Sequence, residues 1–210
     1  LHLARGWFRL QEMETEKTET ELRALRSQIN PHFLFNSLNS IYSLARKNSV
    51  LVPEKVVQLS DLMRHVIYES DADEIPLEKE IEMIRNYIEL QNLRTPDSEK
   101  IELKVLGDLN EKEIAPLLFL PFVENSFKHG LKGGGEIVFV RINIQVQEDS
   151  LLFEIENSKG ENTEIKEEKY KGIGIENVRK RLELIYPGKY SLDIADKDKT
   201  FKVTLNLQLN

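Results

Sequence analysis

SQINPHFLFNSLNSI, residues 27–41, sets a proline and a histidine inside a segment whose apolar spacing is helical. A proline within a helix removes one backbone hydrogen bond, clashes with the preceding turn and costs about 3 kcal/mol. Stability alone would not select Pro31 there, so the neighbouring His32 is the first candidate functional residue. Outward from this stretch, residues 10–47 read as one long helix. Leu22, Leu25, Ile29 and Phe33 fall on one stripe at spacings of three and four. Leu34, Leu38, Ile41 and Ala45 form a second stripe, rotated by roughly a third of a turn. A helix with two apolar stripes has more than one neighbour, so a bundle is expected. His32 lies at the edge of the first stripe, away from the second, which turns it outward.

The start of this helix, QEMETEKTETE at 11–21, is polar all round and needs a partner helix or a preceding segment to hold it. Pro53 opens a second helix, with Val56, Val57, Leu59, Leu62, Met63 and Val66 supplying its apolar face. The two helices make an antiparallel hairpin, and two such hairpins would close a four-helix bundle. ESDADEIP at 69–76 then reads as a linker.

Composition narrows the function. The 210 residues carry a net charge of −7, which argues against non-specific nucleic-acid binding, because that requires a basic surface. There is no cysteine and hence no disulfide framework. The chain opens on Leu1 without a signal-peptide pattern and is expected to be a piece of something longer. LHLARGWF at 1–8 fits either the foot of a membrane helix, with Trp7, Arg5 and Arg9 at the interface, or an ordinary frayed terminus. The uncharged run 27–45 is too polar, and too interrupted by Pro31, to face lipid.

Beyond residue 76 the pattern changes. A helix at 77–93 precedes the strand-like IELKVLG at 101–107. Residues 114–130 read as a helix carrying LLFLPFV and ending at Gly130. EIVFVRINIQV (136–146) and SLLFEIEN (150–157) alternate as strands of a half-buried antiparallel sheet. SKGENTEIKEEKYK, 158–171, has almost nothing apolar and reads as an exposed loop. A helix from about Ile175 to Ile185 and two strands, at 190–196 and 200–209, complete an α+β sandwich joined to the hairpin.

Three clusters carry candidate chemistry. His32 and Asn36 lie one turn apart on one helix face. In FVENSFKHG, 122–130, Asn125 lies one turn from both Lys128 and His129, and Glu124 pairs with Lys128 at i,i+4. An amide oxygen suits Mg²⁺, and a nearby Lys or His suits phosphate oxygens. The same residues also suit a plain helix-end ion pair that complements the dipole. GIGIEN, 172–177, places two glycines at a helix start, where backbone N–H groups can approach an anion or simply form a hinge. No P-loop motif is present, and four scattered histidines without cysteine make a poor zinc site.

In this order and spacing the three clusters resemble the sensor histidine kinases of the LytS/YehU type, over about residues 22–207. LRALRSQINPHFLFNSLNSI resembles that family's phosphoacceptor box, VENSFKHG its N box and GIGIENVRKRL its glycine box. RNYIELQNLR, 85–94, is similar to the helix that begins its ATP-binding domain. The resemblance implies a signalling helix at 1–21 and a dimerisation and phosphoacceptor hairpin at 22–72. An ATP-binding domain at 73–210, an α/β sandwich of Bergerat (GHKL) type, would follow. It implies His32 as the phosphorylated residue, Asn125 as the Mg²⁺ ligand, and Glu124, Lys128 and His129 as its neighbours near the phosphates of ATP. Gly172 and Gly174 would line the triphosphate, with Asn177 and Arg181 following, and 158–171 would be the ATP lid. A homodimer on the cytoplasmic side of the inner membrane would pass the phosphoryl group to a response-regulator aspartate. Glu124 is the candidate base for the imidazole proton.

Two positions depart from the family pattern. Asn157 stands where an aspartate commonly accepts a hydrogen bond from the adenine amino group, so the acceptor lacks charge assistance. DKTFKV near the C-terminus keeps Thr200 without the glycine that often precedes it. The alternatives are a non-catalytic dimeric signalling module with a degenerate nucleotide site, and an ATPase of the same fold.

Overall fold

A computed structural model describes residues 31–68, 72–93, 99–130, 138–159 and 173–209. A helical region comes first. Helices α1 (Pro31–Arg46) and α2 (Val52–Tyr68) form a hairpin. Asn48 closes α1 with a left-handed φ of 51°. Around it the Ser49 N–H donates to the Leu44 carbonyl and the Asn48 N–H to that of Ala45, both at 3.0 Å. This is a Schellman stop, satisfying two carbonyls that the helix leaves open. Pro53 sits in the first turn of α2, where its missing N–H costs nothing. Pro31 is the first described residue of α1, so the expectation of a longer helix interrupted by that proline lies outside the described residues.

A mixed region of sheet and helices follows. A two-residue strand β1 (Ile75–Pro76) leads into helix α3 (Leu77–Asn92), then strand β2 (Glu99–Leu106) and short strand β3 (Glu113–Ile114). Helix α4 (Leu120–Gly130), strands β4 (Val138–Gln147) and β5 (Ser150–Ser158), helix α5 (Ile173–Ile185), and strands β6 (Tyr190–Asp196) and β7 (Thr200–Gln208) complete it. Strands β1 and β3 pair with each other, while the larger sheet runs β2-β4-β5-β7-β6. Only the β2–β4 pair of that sheet is parallel. Along β4, β5 and β7 the inward residues Val140, Ile142, Ile144, Phe153, Ile155, Val203 and Leu205 are buried, as the period of two requires. Helix α4 packs over β4 and β5 and against α5. One continuous apolar core runs from Phe33 and Leu59 in the hairpin to the sheet. Among the described residues no helix is long and apolar enough to cross a membrane.

Three expectations need correction. The helix read over 114–130 begins only at Leu120, because Ile114 is in β3 and residues 115–119 are irregular. Pro116 and Pro121 each bias the preceding residue away from helix, and Leu117 adopts a φ of 56°. The second apolar stripe of α1 is also split: Ile41 is buried, whereas Leu38 and Ala45 are exposed. Phe33, Ser37 and Ile41 form the buried face, and Phe35, Leu38 and Tyr42 form an exposed apolar face opposite. Helix α5 starts at Ile173, so Gly174 lies within its first turn rather than before it.

Candidate nucleotide-binding site

Helix α4 buries Phe122, Val123, Ser126 and Phe127 against the core. At 100° per residue this turns Glu124, Asn125 and Lys128 to the other side, sharing the outer surface the spacing predicts. Glu124 and Asn125 are half-buried and Lys128 is exposed. Burial pushes the Glu124 carboxyl up to about 7, because removing water disfavours the charged form. A carboxyl in that range exchanges protons readily near neutral pH.

Asn157 lies on the inward face of β5, in register with Val140 on one side and Phe201 on the other. It is 0% exposed. Its Nδ2 donates to the Ser158 carbonyl at 2.8 Å. A carbonyl can only accept, so this bond fixes the amide orientation and presents Oδ1 as the remaining acceptor. Among the described residues Oδ1 is buried and finds no donor. A buried acceptor in this condition is costly alone, by about 1–3 kcal/mol, and suits a ligand that brings its own N–H.

The other expected site residues are spread more widely. Asn177 is half-buried in the first turns of α5. Arg181, one turn further on, is buried and donates to the carbonyls of Leu117, at 3.1 Å, and Pro116. It thus holds the irregular segment that leads into α4. Asn36 is half-buried on α1, one turn beyond His32. His32 and His129 belong to α1 and α4, but their side chains, like Gly172 and the loop 160–172, lie outside the described residues.

Several residues that organise this site are not evident in the motifs. Glu80 of α3 is 0% exposed. Its carboxylate accepts from the N–H groups of Leu117, Leu118 and Phe119 at 2.9, 2.8 and 3.1 Å. The same carboxylate stands 3.4 Å from His65 Nε2 on α2. Tyr186 accepts from the Ala115 N–H at 2.8 Å, and Phe119 stacks on Phe153 with centroids 4.5 Å apart. An irregular buried segment must find partners for its backbone groups, and here α3 and α5 supply them. One signal was available: Glu80 falls on the apolar stripe of Leu77, Ile84 and Tyr87, where an acid needs a reason. Phe33 stacks on Tyr87, centroids 4.6 Å apart and planes at 24°. Tyr87 in turn meets Phe127 edge-on at 5.6 Å and 87°.

Residues 20–99 match the histidine kinase family. The sensor protein LytS of Oceanobacillus iheyensis is 32% identical over 193 residues, covering 86% of this chain and 33% of that protein. The sensor histidine kinase YpdA of Escherichia coli is 34% identical over 190 residues, covering 85% of this chain and 33% of that protein. Among solved structures, the histidine kinase domain of the blue-light activated histidine kinase EL346 of Erythrobacter litoralis aligns over 93% of this chain and 94% of that one, at 13% identity and a TM-score of 0.48. The chain is a histidine-kinase-family domain, related alike to the LytS, YpdA, BtsS and YesM proteins. It spans about a third of the length of the curated relatives it matches.

Proposed function

We propose that the chain is the phosphoacceptor and ATP-binding part of a sensor histidine kinase, which phosphorylates His32 from Mg²⁺-ATP and passes the phosphoryl group to a response-regulator aspartate. The observation that carries the reading is the Asn157 side chain, buried in the sheet with an Oδ1 that finds no donor among the described residues. That oxygen is an acceptor suited to the adenine amino group. Asn125 would hold Mg²⁺, and Lys128 and His129 would meet the phosphates. Gly172, Gly174 and Asn177 would line the triphosphate, while Arg181 supports the approach to α4.

ATP supplies the transferable γ-phosphoryl group. A neutral imidazole nitrogen of His32 bonds to that phosphorus as the bond to the bridging oxygen breaks, and ADP departs. The imidazole proton needs an acceptor, and Glu124, with its carboxyl raised to about 7, is the base we assign. We divide the chain into residues 1–21, the acceptor hairpin 22–72 and the ATP-binding domain 73–210. The exposed apolar face of Phe35, Leu38 and Tyr42 on α1, with Val56 and Ile67 on α2, supports pairing with a second copy into a four-helix bundle. The greater length of the relatives supports a cytoplasmic domain of a larger membrane-anchored sensor.

Incubation with labelled ATP and Mg²⁺ is expected to give an acid-labile, base-stable phosphoprotein that His32→Gln abolishes. Label surviving in His32→Gln would sink the assignment. A second reading, a dimeric signalling module without catalysis, is favoured by one observation: Asn157 offers a neutral oxygen where an aspartate would offer a charged one. Calorimetry with a nonhydrolysable ATP analogue separates the two, since the module predicts no heat of binding at millimolar nucleotide.

A further inference from the structure

We infer that α3 couples the acceptor helix to the nucleotide helix, with Tyr87 and Glu80 as positioning residues that each touch the hairpin on one side and the support of α4 on the other. The inference rests on the reading of His32 and α4 given above. Phe33 is the residue next to the acceptor, and its ring is seated on Tyr87. The same Tyr87 ring meets Phe127, which sits in α4 between Asn125 and Lys128. Two turns earlier on the same face of α3, Glu80 meets His65 of the hairpin and holds the three backbone N–H groups that precede α4. Helix α4 is thus gripped near both ends by side chains that also receive the hairpin.

Phe33, Tyr87 and Phe127 are all buried. Close-packed rings have few alternative arrangements, so a displacement of α4 must be absorbed by Tyr87 and passed to Phe33. A shift of α4 with bound nucleotide would then move the backbone beside His32. Lys55 and Gln58 of α2, both bonded to Glu89 of α3 at 3.2 and 2.5 Å, tie the hairpin to the same helix and leave it little freedom to slide.

The test has two readouts. The first needs no nucleotide. Urea unfolding of the chain with Phe33→Leu, Phe127→Leu and both is measured with Tyr87 present and again with Tyr87→Leu. With Tyr87 present the two effects are expected to be non-additive, by about 2-fold to 10-fold in the unfolding equilibrium. With Tyr87→Leu they are expected to add. Additivity with Tyr87 present, or coupling that persists without it, overturns the inference. In the second, Tyr87→Leu is expected to lower His32 phosphorylation at saturating Mg²⁺-ATP by about 10-fold to 100-fold. Affinity for a nonhydrolysable ATP analogue should stay within about twofold, and Tyr87→Phe should restore the rate. Undiminished turnover, or affinity lost in step with turnover, overturns it. If Tyr87→Leu does not fold, Phe33→Leu replaces it in the phosphorylation readout with the same expectations for rate and affinity, and the cycle with Tyr87 present decides the coupling. Should the wild-type chain form no phosphohistidine, the kinase reading fails, and the unfolding cycle alone decides the coupling.

Discussion

In the sheet region the apolar residues of β4, β5 and β7 face one way and are covered by helices, whereas the hairpin carries apolar residues on opposite faces of α1. Phe153, 0% exposed in β5, stacks on Phe119; Phe35 on α1 is 67% exposed. The sheet region closes its own core with α4 and α5. The hairpin closes one side against α3 and leaves its other apolar face, Phe35, Leu38 and Tyr42, exposed.

That contrast can be broken in several places, taken from the largest expected effect. Phe153→Ala should cost about 3–5 kcal/mol in denaturant unfolding, because the covered core cannot collapse around the space. Glu80→Ala should cost a similar amount, about 3–5 kcal/mol, since it strands the three buried N–H groups of Leu117, Leu118 and Phe119. Glu80→Gln, which keeps acceptor oxygen, should cost clearly less. Equal losses for the two Glu80 variants would refute the capping role.

The Glu124 carboxyl gives a smaller effect with a definite sign. Its folded value, about 7, lies above its ordinary one, so its neutral form is favoured in the folded chain. The resulting stability is complete below the ordinary carboxylate range and is lost as pH rises through about 7. Wild-type stability measured from pH 5 to pH 8 should fall relative to Glu124→Gln by roughly 1–3 kcal/mol. Phosphorylation of His32, if Glu124 is the base, should rise over the same interval. Parallel stability curves for the two proteins would show that burial does not control this group.

Smallest in unfolding of the monomer is Phe35→Ser, within about 0.5 kcal/mol. Its effect should appear instead in sedimentation, as a weakened dimer. A measurable loss of monomer stability with unchanged association would place Phe35 in an internal contact and contradict the comparison.

How far the sequence could be read differs between the same two regions. The strands from residue 138 onward were legible because alternation survives wherever one sheet face is buried. Pro53 was legible as the opening of a helix, whereas the Asn48 stop was found only in the structure. The helix α4 motif was legible as a surface, since spacing alone turns Glu124, Asn125 and Lys128 to one side. The segment 115–119 was not. LLFLPFV is apolar throughout and has no period, so nothing local distinguishes helix from an irregular chain held by distant groups. Nor could spacing tell which apolar face of α1 meets α3.

The sequence by itself determined most of the local elements, the charge and the candidate chemistry of His32, Glu124 and Asn125, because propensity, period and residue type act over a few positions; Asn157 entered only through the family resemblance. Only the tertiary structure decided that Glu80 and Arg181 hold the backbone before α4, that Phe33 reaches Phe127 through Tyr87, and that Asn157 is buried with no donor to its Oδ1 among the described residues. These are contacts between residues far apart along the chain, and burial, which sets their strength, exists only after the chain has packed.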